Sequence, residues 1–259
     1  MKQSSPYSIR STKTFAIIIL AAVIFLWAFS AMEFTPDKIV DGIPPLFDFI
    51  AKMYPPDVSV APTLLESAVE TIQMVLVGTL LGTILALPIS AMASSNIALR
   101  PLVAVTRTYL MVVRTVPSLV WALIFVIVVG LGPLAGVFAL TFYTLGYLGK
   151  IYYEAIESID MDSVEGVVAV GANSTQMFSH GVLPQILPHI VNNFFFMIEY
   201  NIRHAAILGF VGAGGIGFYI FLYLQSFSFD KVAMALLVLL GLVIGFDRLS
   251  LEVRKRLVR

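Results

Sequence analysis

Charged side chains within apolar stretches are the residues of this sequence with the clearest potential for chemistry. Glu199 and Arg203 stand four residues apart in the segment FFFMIEYNIRHAAILGF. Because an ionisable side chain within a membrane costs about 2.5–3.5 kcal/mol, it marks a candidate functional site. Two interpretations remain open. Glu199 and Arg203 pair within one helix, or Arg203 faces a path through the membrane, together with Glu199 and Asn201, and holds an oxyanion through its forked donors.

Arg114 is a further candidate for lining such a path. It lies near one end of an apolar run, so the alternative is that its charged end simply extends to the membrane surface. Arg100 and Arg107, earlier in the same region, are interpreted as charges that set the orientation in the membrane. His204 is interpreted as a polar residue that faces neighbouring helices.

Other kinds of site find little support. The chain has no cysteine, which excludes disulfides and thiolate sites, and its 3 histidines are scattered. Residues 212–217 match GxGxxG, but a dinucleotide site requires a strand before that motif in a soluble unit. Here the motif follows an apolar run and is interpreted as a break between helices at which the chain bends and packs closely. No GxxxxGK[ST] motif occurs, so the sequence offers no P-loop for ATP. We expect a chain that is not an enzyme and has no cofactor or metal of its own.

The elements that must position these side chains are predicted to be membrane helices. Of the 259 residues, 59% are hydrophobic and 12% are charged, and the mean hydropathy is +0.93. Soluble domains carry roughly 25% charged residues. The formal net charge is zero, which argues against a nucleic-acid partner. The composition predicts an all-α integral membrane protein that acts in transport or as a membrane scaffold.

About six apolar runs approach the roughly 20 residues that a helix needs to cross a bilayer. The predicted spans cover residues 14–32, 71–99, 101 to about 129, about 134–152, about 187–209 and about 232–246. Residues 1–62 are predicted to hold an N-terminal anchor helix and an external loop with a short interfacial helix. A signal peptide is the alternative for the first run. Residues 63–259 are predicted to form the transport domain.

Lysine and arginine predict the orientation, because they concentrate in cytoplasmic loops. Bases cluster before the first span, after the second span and in the C-terminal segment DRLSLEVRKRLVR. With six spans, these three places share one side of the membrane. Both termini, and the segment between the fourth and fifth spans, are therefore predicted to be cytoplasmic.

That segment, residues 160–184, has a soluble-looking pattern in an otherwise apolar chain. Asp162 and Glu165 suggest a helix-capping pair, and one cytoplasmic helix is predicted over about 162–181. Small apolar residues recur there at helical spacing and mark one face. They are Val164, Val167, Val168, Gly171 and Ala172. This face must be buried, either on a partner protein or against the helices of the chain itself.

The same segment resembles the EAA loop of bacterial ABC-importer permeases, in which Glu-Ala-Ala, a glycine and Leu-Pro recur at fixed spacing. The matching positions are Glu165, Gly166, Val167, Gly171, Leu183 and Pro184. Gly166 and Val167 replace the two alanines, and Gly181 stands where the family has isoleucine. In that family the loop is the coupling helix, which sits in a groove of a separate ATPase subunit. The resemblance therefore implies that these residues couple the chain to an ATPase.

The resemblance extends over roughly residues 62–259 and implies the type I ABC-importer permease fold with an extra N-terminal helix. The stretches RTVPSLVWALIFVIVVGLGPLAGVFAL, LGKIYYEAIESID and FVGAGGIGF resemble phosphonate and phosphite permeases in particular. The family implies a permease homodimer in the bacterial inner membrane, with two subunits that bind ATP and Mg²⁺ and an extracytoplasmic substrate-binding protein. The alternatives are an ABC permease for amino acids, since RTVP is shared more widely, and a self-sufficient secondary transporter whose Glu199 carries protons.

Overall fold

The computed structural model describes residues 12–32 and 35–257, and every regular element in this part of the chain is helical. The predicted all-α architecture is confirmed. Five of the described helices are long and apolar enough to cross a membrane, or six if one bent pair of helices counts as a single span. Lys2, Arg10 and Arg259, which contribute to the predicted orientation, lie outside the described residues.

The chain divides into two compact units at Lys52. The first unit contains α1 (Thr12–Ala31) and α2 (Pro36–Lys52). α1 coincides with the predicted anchor helix, and the part of it that could span a membrane has no buried residue. α2 places apolar and charged residues on different faces, as expected for the predicted interfacial helix. Residues 53–62, which the sequence pattern assigns to the external loop, belong to the second unit.

The second unit contains nine α-helices within the part of the chain that the structure describes. They are α3 (Ala61–Ala93), α4 (Arg100–Thr115), α5 (Ser118–Val129), α6 (Pro133–Glu157), α7 (Met161–Ala169), α8 (Ser174–Met177), α9 (Leu183–Leu208), α10 (Gly215–Gln225) and α11 (Phe229–Leu257). The predicted second, fourth, fifth and sixth spans correspond to α3, α6, α9 and α11. Each of these helices begins before the predicted first residue, and in α3 and α11 the helical hydrogen bonding continues past the charged residues that delimit the apolar run.

The predicted third span, over residues 101 to about 129, is two helices bent by 89°. α4 ends at Thr115 and α5 begins at Ser118, and the intervening Val116 and Pro117 have ψ angles of 119° and 148°. Proline disfavours the helical conformation in the residue before it and has no N–H with which to continue the helix. The Thr-Val-Pro sequence therefore ends α4 and redirects the chain.

The most extensive helix contact in the second unit joins α3 to α6. Two glycines of α3 make this approach possible. A Cβ atom on Gly78 would lie 2.8 Å from Leu140 Cβ, and one on Gly82 would lie 2.6 Å from Thr144 Cβ. Small residues are typical of such contacts, because membrane helices associate through close packing and interhelical hydrogen bonds.

Asn201 of α9 joins this helix pair at a buried polar point. Its Nδ2 donates hydrogen bonds to Thr79 Oγ1 of α3 and to Thr144 Oγ1 of α6, at 2.8 Å each. All three side chains are fully buried. The amide thus holds three membrane helices in one arrangement.

We expect Gly82→Ala to lower the stability of the protein. Overpacking of a tight contact costs about 1–3 kcal/mol, which exceeds the gain of up to about 1 kcal/mol that alanine brings to a helix interior. Gly241→Ala in α11 is the matched control, because no atom lies within 4 Å of a Cβ atom there. Thermal unfolding of the purified variants in one detergent should show a lower midpoint for Gly82→Ala only. Equal midpoints would contradict this account of the contact.

Candidate coupling surface and translocation path

α7 is capped by a different residue from the one that the sequence pattern suggests. Asp160 Oδ1 accepts a hydrogen bond from the Asp162 backbone N–H at 3.1 Å, and Asp160 Oδ2 accepts one from the Ser163 hydroxyl at 3.0 Å. Asp160 has the extended backbone of an N-cap residue, with φ −72° and ψ 113°. The predicted capping pair of Asp162 and Glu165 is therefore wrong, since Asp162 already lies inside the helix.

The segment predicted as one helix over about 162–181 is divided by a turn. α7 ends at Ala169, and Gly171 has a φ angle of +87°, a left-handed conformation that glycine adopts without strain. Asn173 then caps α8. Its Oδ1 accepts from the Gln176 N–H at 2.9 Å, and Gln176 Oε1 accepts from the Asn173 N–H at 3.0 Å. The turn forms because a glycine is followed by a complete capping box.

The Leu-Pro pair lies in the first turn of α9. A π-helical turn, Phe178–Val182, connects α8 directly to α9, so no helix end separates the two. Leu183 is half-buried and Pro184 is exposed. Pro184, which has no N–H to donate, lies just after this π-helical turn.

α7 is fastened to the start of α9 by two kinds of contact. The Asp160 N–H donates to Gln185 Oε1 at 3.0 Å, and Gln185 Nε2 donates back to the Asp160 carbonyl at 3.2 Å. Val164 is 2% exposed, and a Cβ atom on Gly181 would lie 3.3 Å from Val164 Cα. Through these contacts the first turn of α7 is fixed to the start of α9. Sequence reasoning missed Gln185, because its partner lies 25 residues away.

The last turn of α7 and the turn after it form an open apolar face. Val168 is 48% exposed and Val170 is 85% exposed. Glu165 and Gly166 are exposed beside them, and Val167 is half-buried. These side chains therefore remain available to a partner.

Two cavities flank this face. One, of about 430 Å³, is lined by Asn96, Ile97, Met161, Val164, Glu165, Val168, Ala169 and Met177. The other, of about 480 Å³, is lined by Val167, Val170, Gly171, Ala172, Gln176 and His180. A helix that is attached to α9 and has a groove on each side is suited to docking of a partner protein. We call α7, the Gly171 turn and α8 the coupling surface.

The structure pairs the two charged residues of α9. Arg203 Nη2 and Glu199 Oε1 are in direct contact as an ion pair one helical turn apart. The Arg203 side chain is 52% exposed, whereas that of Glu199 is 14% exposed. The guanidinium is therefore held by the carboxylate on one side and remains accessible on the other.

The other two path candidates lie in different surroundings. Asn201 is fully buried between α3, α6 and α9, so in this conformation it is a helix-joining residue. Arg114 is exposed in the last turn of α4 and lines a cavity with Arg107 and Lys150. Arg203 does not line that cavity. The path candidates predicted from the sequence thus lie in three different places. Glu199 and Arg203 form an ion pair, Asn201 is a buried amide, and Arg114 lines a basic cavity.

A polar aromatic cluster, which sequence reasoning missed, lies beside the ion pair. His204 Nδ1 and Ser118 Oγ are 2.8 Å apart. The rings of Tyr143 and Tyr200 lie 4.7 and 4.6 Å from the His204 ring. His204 faces neighbouring helices, as the sequence predicts. The sequence feature that could have indicated this cluster is a pair of tyrosines, Tyr143 and Tyr147, four residues apart in an apolar run.

Sequence comparison places this arrangement among transport proteins. Residues 78–259 match the family described as binding-protein-dependent transport system inner membrane component. The chain is 35% identical over 242 residues to the phosphite transport system permease protein PtxC of Stutzerimonas stutzeri, covering 93% of this chain and 86% of that protein. It is 33% identical over 233 residues to the phosphate-import permease protein PhnE of Mycolicibacterium smegmatis, covering 89% of this chain and 44% of that protein.

A solved structure has the same fold. An inward-facing conformation of the MetNI methionine ABC transporter aligns with a TM-score of 0.70 and 21% identity, covering 78% of this chain and 100% of that chain. The predicted importer permease fold is thereby confirmed, and the multi-pass membrane character follows from the family and the apolar helices. Because the family match covers most of the sequence, this chain belongs to the inner membrane components of binding-protein-dependent transport systems.

Proposed function

We propose that this chain is the permease subunit of an ATP-driven importer of phosphonate, phosphite or a related phosphorus oxyanion. The observation that carries this proposal is the coupling surface, an apolar face held outside the helix bundle by contacts to α9. The chain works as a homodimer with two ATPase subunits and an extracytoplasmic substrate-binding protein. The partner ATPases bind ATP and Mg²⁺.

The attachment of α7 supports its role as a lever. Displacement of α7 by a partner acts on α9 through the Asp160–Gln185 hydrogen bonds and the Val164–Gly181 contact. α9 in turn carries Asn201, which is hydrogen-bonded to α3 and α6. Rigid-body movement of packed helices is an established way to transmit a change at one site to another. ATPase closure would thereby reach the path. Glu165, Gly166, Val167 and Gly171 form the contact with the ATPase, and Leu183 and Pro184 start the helix that moves.

The substrate class is supported by the relatives and by the charges of α9. PtxC and PhnE are named for phosphite and phosphate, which are both phosphorus oxyanions. Arg203 offers forked donors that suit such anions, and its pairing with Glu199 keeps the affinity low enough for release. We propose Arg203, Glu199 and Arg114 as path residues, and Asn201 as the amide that positions α9.

The proposed orientation is supported by which helix ends lie together. α3 and α6 end near one another, because the Ser95 N–H donates to Glu157 Oε1 at 2.7 Å, and α7 follows directly. We call this the coupling side. The beginnings of α3 and α11 also meet, since the Asp57 N–H donates to the Asp230 carbonyl at 3.2 Å. We propose that the coupling side and both termini are cytoplasmic, and that the bacterial inner membrane separates them from the Asp57 end.

Reconstituted uptake tests the proposed function. Liposomes that contain this chain and its cognate ATPase, with the binding protein outside, should accumulate phosphite, a phosphonate or phosphate only when ATP is enclosed inside, on the ATPase side. Sulfate and methionine are the control ligands, because they test other oxyanions and the amino-acid alternative. Uptake by this chain alone, driven by a pH gradient, would establish the secondary-transporter alternative instead.

We expect Val170→Glu to weaken ATPase binding by at least about tenfold, because a carboxylate would be desolvated in an apolar interface. Val170 is 85% exposed, so the variant should fold normally. Gln225→Glu, also exposed but at the end of α10, is the matched control. Co-purification with the ATPase and ATP-dependent uptake measure the effect. Normal binding and uptake with Val170→Glu would remove the coupling surface from the mechanism.

The natural absence of cysteine allows a direct test of orientation. Thr175→Cys in α8 and Ser226→Cys after α10 introduce single exposed thiols on the two proposed sides. A membrane-impermeant maleimide should label Ser226→Cys in cells with a permeabilised outer membrane, and Thr175→Cys only in inverted inner-membrane vesicles. Labelling of Thr175→Cys from outside would reverse the proposed topology.

A further inference from the structure

A basic cavity of about 250 Å³ lies between α4 and α6, apart from the coupling surface. It is lined by Arg107, Leu110, Met111, Arg114, Lys150 and Tyr153. Three of these residues are cations, and they come from two helices. In a chain with only 12% charged residues, three cations around one small cavity require an explanation.

Glycines of α6 bring the cations together. A Cβ atom on Gly146 would lie 2.9 Å from the backbone nitrogen of Arg114, and one on Gly149 would lie 2.6 Å from Leu110 Cδ2. A larger residue at Gly146 would require the backbone of α4 to move, whereas one at Gly149 would require the Leu110 side chain to move. The backbone of Arg114 is thus held against α6, one helical turn from Lys150.

Two of the three cations have carboxylate partners. Arg107 contacts Glu157 through its guanidinium, donates from Nε to the Ala93 carbonyl at 2.8 Å, and lies 4.6 Å above the Tyr153 ring centre. Lys150 Nζ is 3.2 Å from Glu154 Oε1. These pairs leave the cavity with an excess of positive charge.

Arg114 supplies that excess. Within the described residues it forms no ion pair, and its side chain is exposed at the cavity. Arginine binds a phosphate-type anion through two parallel N–H donors, and lysine acts as a compact point charge. Leu110, which is 2% exposed, and Met111 form the apolar part of the lining.

We propose that this cavity binds a phosphorus oxyanion, with Arg114 as the forked donor and Lys150 as the second cation. Arg107 is a positioning residue, because its contacts to Glu157 and Ala93 fix α4 against the ends of α3 and α6. The anion is either the transported oxyanion on its way out at the coupling side or the phosphate of a lipid headgroup. The first source rests on the proposed function, whereas the second is independent of it.

The location accommodates both sources. Lys150 lies roughly two helical turns before the end of α6, near the level at which helix ends meet lipid headgroups. Basic pockets between membrane helices on the cytoplasmic side are typical binding sites for anionic headgroups. The same face would be the last encountered by an imported anion before the cytoplasm.

Two binding measurements on the full transporter complex distinguish the sources. In neutral detergent without added lipid, phosphorus-31 line broadening of phosphite reports the free anion, with a phosphite-free sample as the blank. In nanodiscs made from phosphatidylcholine with or without phosphatidylglycerol, the lipid retained after extraction into detergent reports headgroup binding. Arg114→Gln should reduce the affinity or the retention about tenfold, the loss expected for a charge-assisted hydrogen bond.

Arg100→Gln is the matched control, because Arg100 is an exposed arginine of the same helix that does not line the cavity. It should leave both signals unchanged. Arg114→Lys should retain part of the binding, since it keeps the charge and loses the fork. Both substitutions at 114 affect an exposed, unpaired side chain, so the protein should fold normally, which its unfolding midpoint would verify.

Each outcome decides the matter. Phosphite broadening that depends on Arg114 supports the transported anion, and retention of phosphatidylglycerol that depends on Arg114 supports the headgroup. Absence of both signals, or equal losses for Arg114→Gln and Arg100→Gln, would overturn the proposal. If the liposomes fail to import any phosphorus oxyanion while Arg114-dependent lipid retention persists, the proposed function fails and the cavity assignment stands.

Discussion

The close approach of α3 to α6 is the constraint on which the rest of the second unit depends. Lipid tails give apolar side chains little reason to prefer another helix, so membrane helices are held by close packing and by hydrogen bonds between them. Gly78 and Gly82 allow the close packing, and Asn201 donates the interhelical hydrogen bonds to threonines on both helices. Because these axes are fixed, the ends of α3 and α6 meet at Ser95 and Glu157, and the chain enters α7 from a defined position.

The coupling surface depends on this fixed entry and on its link to α9. If a short helix stood on a free loop, a partner that displaced it would move only the loop, and the displacement would not reach the other helices. Here the amide of Gln185 spans from α9 to both backbone groups of Asp160, and Val164 packs on the small surface of Gly181. Val164 is buried by these contacts, whereas Val168, one helical turn further along, is 48% exposed and Val170 is 85% exposed. The first turn of α7 is thus used for attachment, which leaves its last turn and the Gly171 turn for a partner.

The sequence predicted the helical class, the position of most spans and the segment that forms the coupling surface, because these depend on hydropathy over long runs and on local residue spacing. It predicted one helix where the structure has α7, a turn and α8, since the positive φ of Gly171 and the cap at Asn173 outweighed the continuing apolar spacing. It also treated Pro117 as part of one span, although the bend there is 89°. Long-range partners such as Gln185 and Asp160 have no local signal.

The formal net charge of zero does not reveal how positive and negative side chains are distributed in this chain. An importer of anions must offer positive charge within a low-dielectric environment, yet an isolated cation there is costly and would hold the anion too firmly. Arg203 with Glu199, Arg107 with Glu157, and Lys150 with Glu154 each combine a cation with a carboxylate from the same or a neighbouring helix. Under the proposed function, an arriving anion shares such a cation, and the carboxylate still neutralises the cation when the anion departs. Arg114 is exposed at the end of α4, beside the break at Pro117, and among the described residues it has no carboxylate partner, so it is the cation of this group that is free to bind an anion.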